Sequence, residues 1–285
     1  MNESKYIEYL KRNYESLRNK TGDYILEGDQ IAEDEKVDSK NRSLKKFEFT
    51  KIHNNLIPQP VFGNIKEAKI VICSFNPGFD EENDYKVEDE QMANEARLIY
   101  YKDIFLSQLN CESKSHPFIG EKKSNDYNVS PGANWWRKRL NQSEAKKSLV
   151  QNIKNSYKNN GIEKNDEEIF DILARNIASI ELFPYHTKNK VGKGTLESCK
   201  SVEMIKNFVY KELIPNAKVE NRIICFTRSI SEWEVENNSN VIDEEVVFIN
   251  PEEYRENLYY NVELPLGSYV YQHLYKLSKG FTKEI

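Results

Sequence analysis

Asn76, Asp80, Glu181 and His186 are the side chains of this sequence best placed to do chemistry. Asn76 and Asp80 bound the turn Asn76-Pro77-Gly78-Phe79-Asp80, just past the apolar run Ile70-Val71-Ile72-Cys73. His186 ends Phe183-Pro184-Tyr185-His186, just past a second run that starts at Ile177 and contains Glu181. An imidazole there is either a ligand or acid–base group or a surface-loop histidine. A carboxylate inside an apolar strand, as at Glu181, needs a partner or a function. Phe79, Phe183 and Tyr185 add aromatic rings to the same two turns, while His53, His116 and His273 fall outside strand ends.

These turns need elements to hold them. Ile70–Phe75, Ile177–Phe183, Ile223–Phe226 and Val246–Ile249 are short apolar runs rich in β-branched residues, the pattern of strands buried on both faces. Helical stretches around 90–109, 133–156, 196–213 and 268–279 separate or follow them. Strands alternating with helices predict an α/β sandwich around a four-stranded, mostly parallel sheet. All strand C-termini of a parallel sheet share one edge, so Asn76 and His186 should face one crevice. Pro77 cannot extend a ladder, and Gly78 tolerates backbone angles that other residues avoid. The fourth run ends in Asn250-Pro251, a second Asn-Pro break on that edge; Asn250 is either a plain turn initiator or a site residue.

The gap from 76 to 176 is too long for one crossover, which predicts a helical insertion at about 110–170. It contains Ser130-Pro131-Gly132-Ala133-Asn134-Trp135-Trp136-Arg137-Lys138-Arg139. The tryptophans either pack into a core or stack on a base, and the three cations either face solvent or contact phosphates. Ile7, Leu10, Tyr14 and Leu17 have helical spacing, so an N-terminal helix is expected within 4–19. Residues 27–45 read as a polar loop or linker. The chain thus divides into an N-terminal helix and polar linker, 1–50, and an α/β domain, 51–285.

Composition narrows the function classes. Net charge is −5, with 31% charged residues, which argues against a non-specific nucleic-acid coat but leaves room for a local basic groove. Acids crowd 27–38 and 80–90, whereas 137–154 and 186–193 are basic. The four cysteines, at 73, 111, 199 and 225, lack metal-knuckle spacing, so no structural zinc or iron–sulfur cluster is expected, and the reading calls for no metal and no cofactor. No apolar run of membrane-spanning length and no signal-peptide core occurs, so the expectation is a cytoplasmic protein with no membrane partner. There is no Gly-x-Gly-x-x-Gly after the first strand, no Walker lysine, no Gly-x-Ser-x-Gly elbow and no zinc-hydrolase or deaminase pattern.

Ser74-Phe75-Asn76-Pro77-Gly78-Phe79 resembles the first motif of the uracil-DNA glycosylase superfamily, in its Asn-Pro-Gly version. The order of elements is similar too, with a base-reading turn after the second strand, a third strand near 222–227 and a second-motif position at Asn250-Pro251. A closer resemblance is to a group of bacterial proteins with an Asn-Pro-Gly turn, a Ser-Pro-Gly-x-x-Trp-Trp stretch and a Phe-Pro-Tyr-His turn, over roughly 58–275.

The resemblance implies a three-layer α/β/α fold and a DNA glycosylase that flips its target base out of the helix. It implies that Asn76 orients the attacking water, that Phe79 stacks beneath the base, that the Phe183–His186 turn with Tyr185 reads the base edge, and that Asn250 contacts the flipped nucleotide. Asp80 or Glu181 would be a stronger base, and His186 a donor to the departing base. Glu252-Glu253 replaces the superfamily's usual continuation after Asn250-Pro251, and the uracil-reading asparagine has no clear equivalent. The implied substrate is therefore an unusual or modified base, uracil or a hypermodified one, in DNA. The alternative is a catalytically inactive protein of the same fold that binds nucleic acid or a protein partner.

Overall fold

Ile70–Ser74 (β4) lies near the middle of a five-stranded sheet, and its first four residues are wholly buried. The computed structural model describes residues 4–17, 23–31, 34–37, 48–54, 56–78, 103–112, 115–120, 136, 149–226, 231–234 and 246–248. Within them β4 pairs in parallel with Ile177–Glu181 (β5) on one side and Ile223–Phe226 (β7) on the other. Val246–Phe248 (β8) extends the sheet beyond β7, also in parallel. All four apolar runs are therefore strands, side by side and parallel. A fifth strand, Val61–Phe62 (β3), pairs antiparallel with β5 at the edge and was not foreseen. Two residues give too short a pattern to read, and only main-chain pairing defines them.

The sheet order β3-β5-β4-β7-β8 fixes where a crevice falls. The chain leaves β4 for β5 in one direction and returns from β5 past β4 to β7 in the other. The carboxyl ends of β4 and β7 thus flank a topological switch point. The described part of the connection into β5 is rich in helix. It includes Leu149–Asn159 (α2) and Asp166–Asn176 (α3), and α3 runs straight into β5. An Asn165–Glu168 capping box starts α3, each side chain accepting from the other residue's backbone N–H.

The connection from β5 to β7 carries Lys193–Glu197 (α4) and a longer helix beginning at Lys200–Phe208 (α5). That helix widens into a π turn at Val209–Leu213 before Ile214–Ala217. Pro215 explains the widening: it has no N–H for the Lys211 carbonyl, and its ring would crowd an ordinary α turn. At the amino edge of the sheet, buried Arg222 donates to the carbonyls of Ala68 and Lys66 and pairs with Glu220.

The N-terminal helix, Lys5–Leu17 (α1), forms as its spacing predicts and buries Ile7, Leu10, Tyr14 and Leu17. It shares one hydrophobic core with the sheet: Tyr6 packs on Phe208, and the Tyr14 hydroxyl donates to the Pro58 carbonyl. The polar-loop expectation for 27–45 is corrected by Asp34–Val37 (β1), which pairs antiparallel with Glu48–His53 (β2). Asp-Glu-Lys-Val carries no apolar alternation, so a backbone ladder forms that hydropathy does not report. Strand β2 also pairs with His186–Thr187 (β6), which makes a second, three-stranded sheet.

Trp136 is a core residue, 8% exposed and edge-on to buried His116 at 5.0 Å. Trp135, residues 137–139 and the helix expected at 268–279 lie outside the described residues. Among the described residues no helix is long and apolar enough to cross a membrane.

Candidate functional site at the carboxyl edge of the sheet

The parallel pairing of β4 and β5 does not stop at the strand ends. Leu182 N–H donates to the Ser74 carbonyl at 3.1 Å and Phe183 N–H to the Phe75 carbonyl at 2.7 Å. The two turns that follow therefore leave the sheet side by side. Across them run two reciprocal bonds. Asn76 Nδ2 donates to both the main-chain carbonyl and Oγ1 of Thr187, each at 2.9 Å. His186 Nδ1 meets the Gly78 carbonyl at 2.9 Å. Gly78 has φ +77, a left-handed conformation natural to glycine.

A carbonyl oxygen only accepts, and this settles two assignments. The atom of Asn76 facing Thr187 is the amide nitrogen, so Oδ1 is turned elsewhere and takes no hydrogen bond from the described residues. The proton of neutral His186 sits on Nδ1, so its Nε2 carries a lone pair. The expectation that His186 donates to a leaving group is therefore narrowed: only the imidazolium form can donate from Nε2.

Thr187 and His53 are the residues that sequence reading passed over. Thr187 is wholly buried and donates its own hydroxyl to the Asn189 carbonyl at 2.6 Å, which leaves an Oγ1 lone pair for Asn76. His53 lies directly opposite His186 in the β2–β6 pairing, and both are buried. Directly opposed residues of an antiparallel pair share a face. No signal in the sequence brings residue 53 to residue 186, because that pairing spans nearly half of the chain.

Glu181 ends β5, level with Ser74, and is buried, with its Oε2 closed to solvent. Neighbouring Cys73 is wholly buried; burial, then Cys225 and Glu181, pushes its thiol well above the ordinary range, so it is inert as a nucleophile. Phe183 and Tyr185, expected to read a base edge, are both 0% exposed and pack in the core. Phe183 packs between Phe75 and Tyr185. The Tyr185 hydroxyl accepts from Leu26 N–H and donates to Asp29, which ties the turn to the N-terminal segment. Phe79, Asp80 and Asn250 lie outside the described residues.

The switch point itself is bridged. The Trp233 indole N–H donates to the Ser74 carbonyl at 3.2 Å, and its ring stands edge-on to Phe226. Exposed Lys190 lies over the Phe75 ring at 5.5 Å and pairs with Glu232 at 3.2 Å. The edge thus offers a fixed amide oxygen, a histidine with a fixed tautomer and a nearby cation. Such a set can orient a water and favour an anion.

Compared with protein-family models, curated proteins and solved structures, the chain matches none of them.

Proposed function

We propose that the chain is a DNA glycosylase that hydrolyses the N-glycosidic bond of an unusual or modified base held outside the helix. The observation that carries this reading is the orientation of Asn76. With its amide nitrogen committed to Thr187, it presents an acceptor to which a water O–H can donate. Breaking an N-glycosidic bond passes through an oxocarbenium-like state, so the water has to be aimed more than deprotonated. The water oxygen bonds to C1′ as the C1′–N bond breaks and the bonding electrons leave with the base; the water sheds one proton to solvent, and imidazolium His186 stabilises the base anion until that anion takes up a proton. The fold reading is a three-layer α/β/α sandwich of the uracil-DNA glycosylase type. Support comes from the four parallel strands and the opposite directions of the two helical connections, since right-handed crossovers in opposite directions lie on opposite faces.

The test is incubation of the purified protein with DNA carrying uracil, other deaminated bases or hypermodified bases, followed by hot alkali to reveal abasic sites. Asn76→Ala should lower the rate on the order of 100-fold at a temperature where the variant is fully folded, since the loss of two bonds to buried Thr187 also costs some stability. Full activity in that variant, or no abasic sites on any of these DNAs, would refute the reading.

The sealed rings of Phe183 and Tyr185 favour a second reading, a catalytically inactive protein of the same fold that binds nucleic acid or a protein partner. It requires DNA binding or partner capture without base release from any of those DNAs.

A further inference from the structure

We infer that Thr187 is the positioning residue of this site: it sets the rotamer of the Asn76 amide and so makes Asn76 an acceptor toward whatever it faces. The inference rests on the glycosylase reading for its consequence in rate, but on hydrogen bonding alone for its geometry. An asparagine amide left to itself flips between two orientations that differ only in which end donates, and a water-aiming role needs one of them. Thr187 removes the choice twice over. Its main-chain carbonyl cannot donate and so excludes Oδ1 from that side. Its hydroxyl has its proton committed to the Asn189 carbonyl at 2.6 Å, so toward Asn76 it too can only accept. Both amide hydrogens are therefore bound to one residue.

Thr187 is itself held in place. It is wholly buried, and it pairs with Ile52 of β2 in the small sheet. The orientation of Asn76 thus depends on a strand far away in sequence and not on its own turn. Thr187 also acts with a neighbour. His186, one residue earlier, bonds back to the Gly78 carbonyl, so the turn that carries Asn76 is gripped at both ends.

The chemical consequence is specific. The Asn76 side of the site binds a donor, such as a water or another O–H or N–H group, and disfavours an acceptor such as a carbonyl or phosphate oxygen. A threonine acting only as core filling would have no such effect.

The experiment compares Thr187→Val, which keeps the shape but loses the hydroxyl, with Thr187→Ser, which keeps the hydroxyl. On a DNA that the wild type cleaves, the valine variant should lose about fivefold in kcat with KM unchanged, and serine should restore it. Independently of any substrate, side-chain amide NMR should show the Asn76 NH2 protons exchanging with solvent about tenfold more slowly than those of exposed Asn189. That protection should persist in Thr187→Ser and fall in Thr187→Val. If wild-type Asn76 exchanges as fast as Asn189, or Thr187→Val leaves both kcat and exchange unchanged, or serine fails to rescue, the inference is wrong. If no DNA is cleaved, the glycosylase reading falls and the exchange measurement alone decides the role of Thr187.

Discussion

Removing the Asp29 carboxylate tests whether the N-terminal segment is part of the machinery that holds the His186 turn. Asp29 is 9% exposed and accepts three hydrogen bonds: from Ser201 N–H at 2.8 Å, Ser201 Oγ at 2.6 Å and the Tyr185 hydroxyl at 2.7 Å. Burial nevertheless raises its pKa above the ordinary 3.8, outweighing the lowering effect of those bonds and of Lys200. Two opposed terms follow. Asp29→Ala orphans three buried donors, at about 1–3 kcal/mol each, but relieves the cost of an ionised group in a dry site. The net expectation near neutral pH is a loss of about 2–4 kcal/mol, a large part of the roughly 5–15 kcal/mol of a typical domain. Asp29→Asn, which mimics the neutral acid and keeps an acceptor, should cost about 1 kcal/mol.

The pH dependence separates the terms. The folded state holds this proton more tightly than the unfolded chain. Its contribution is therefore fully present below 3.8 and is lost as pH rises through the raised folded value. Urea unfolding followed by circular dichroism, repeated from acid to neutral pH, should show that limb in the wild type and not in Asp29→Asn. An Asp29→Ala variant within about 0.5 kcal/mol of wild type would refute the account, because surface substitutions cost no more than that.

Two further outcomes are expected. Because His186 is the donor that steadies the departing base, His186→Ala should slow base release about tenfold or more in the alkali-cleavage assay, and an unchanged rate assigns that role elsewhere. His116 is wholly buried among Phe62, Phe118 and Trp136, and burial pushes its pKa down to about 3 from 6.5. Its depressed pKa means that stability is full above 6.5 and is lost as pH falls toward 3, so the acid limb of a urea-midpoint series should shrink in His116→Leu, and an unchanged limb would count against it.

What was legible in the sequence was whatever side-chain chemistry writes into a local pattern. The runs at 70, 177, 223 and 246 are strands because β-branched side chains suit a sheet covered on both faces, and Asn76-Pro77 and Pro184 mark the ends of the first two. The α1 stripe was legible for the same reason. Strands β1 and β3 were not, since one is polar and the other only two residues long, and their partners supply the order. At the site, Asn76 and His186 could be placed on one edge from strand polarity alone. The burial of Phe183 and Tyr185 was not legible, because an aromatic ring in a turn looks the same whether it faces a ligand or the core. A remote acceptor, Asp29, is what draws the Tyr185 hydroxyl inward.

The same limit explains why the orientation of Asn76 lay out of reach. One of its two acceptors is a main-chain carbonyl, and every residue has one. What selects the carbonyl of Thr187 is the continued pairing of residues 182 and 183 with residues 74 and 75, which carries both turns off the sheet in register. A group held this way is ordered before any ligand arrives, so little conformational freedom remains to be lost when a water is aimed. A rigid amide also discriminates. Had Asn76 been free to flip, the site would accept donors and acceptors alike, and a phosphate oxygen could occupy it as readily as a water. By tying the amide nitrogen to an edge set by backbone pairing, the fold turns a chemically ambiguous side chain into one of definite polarity.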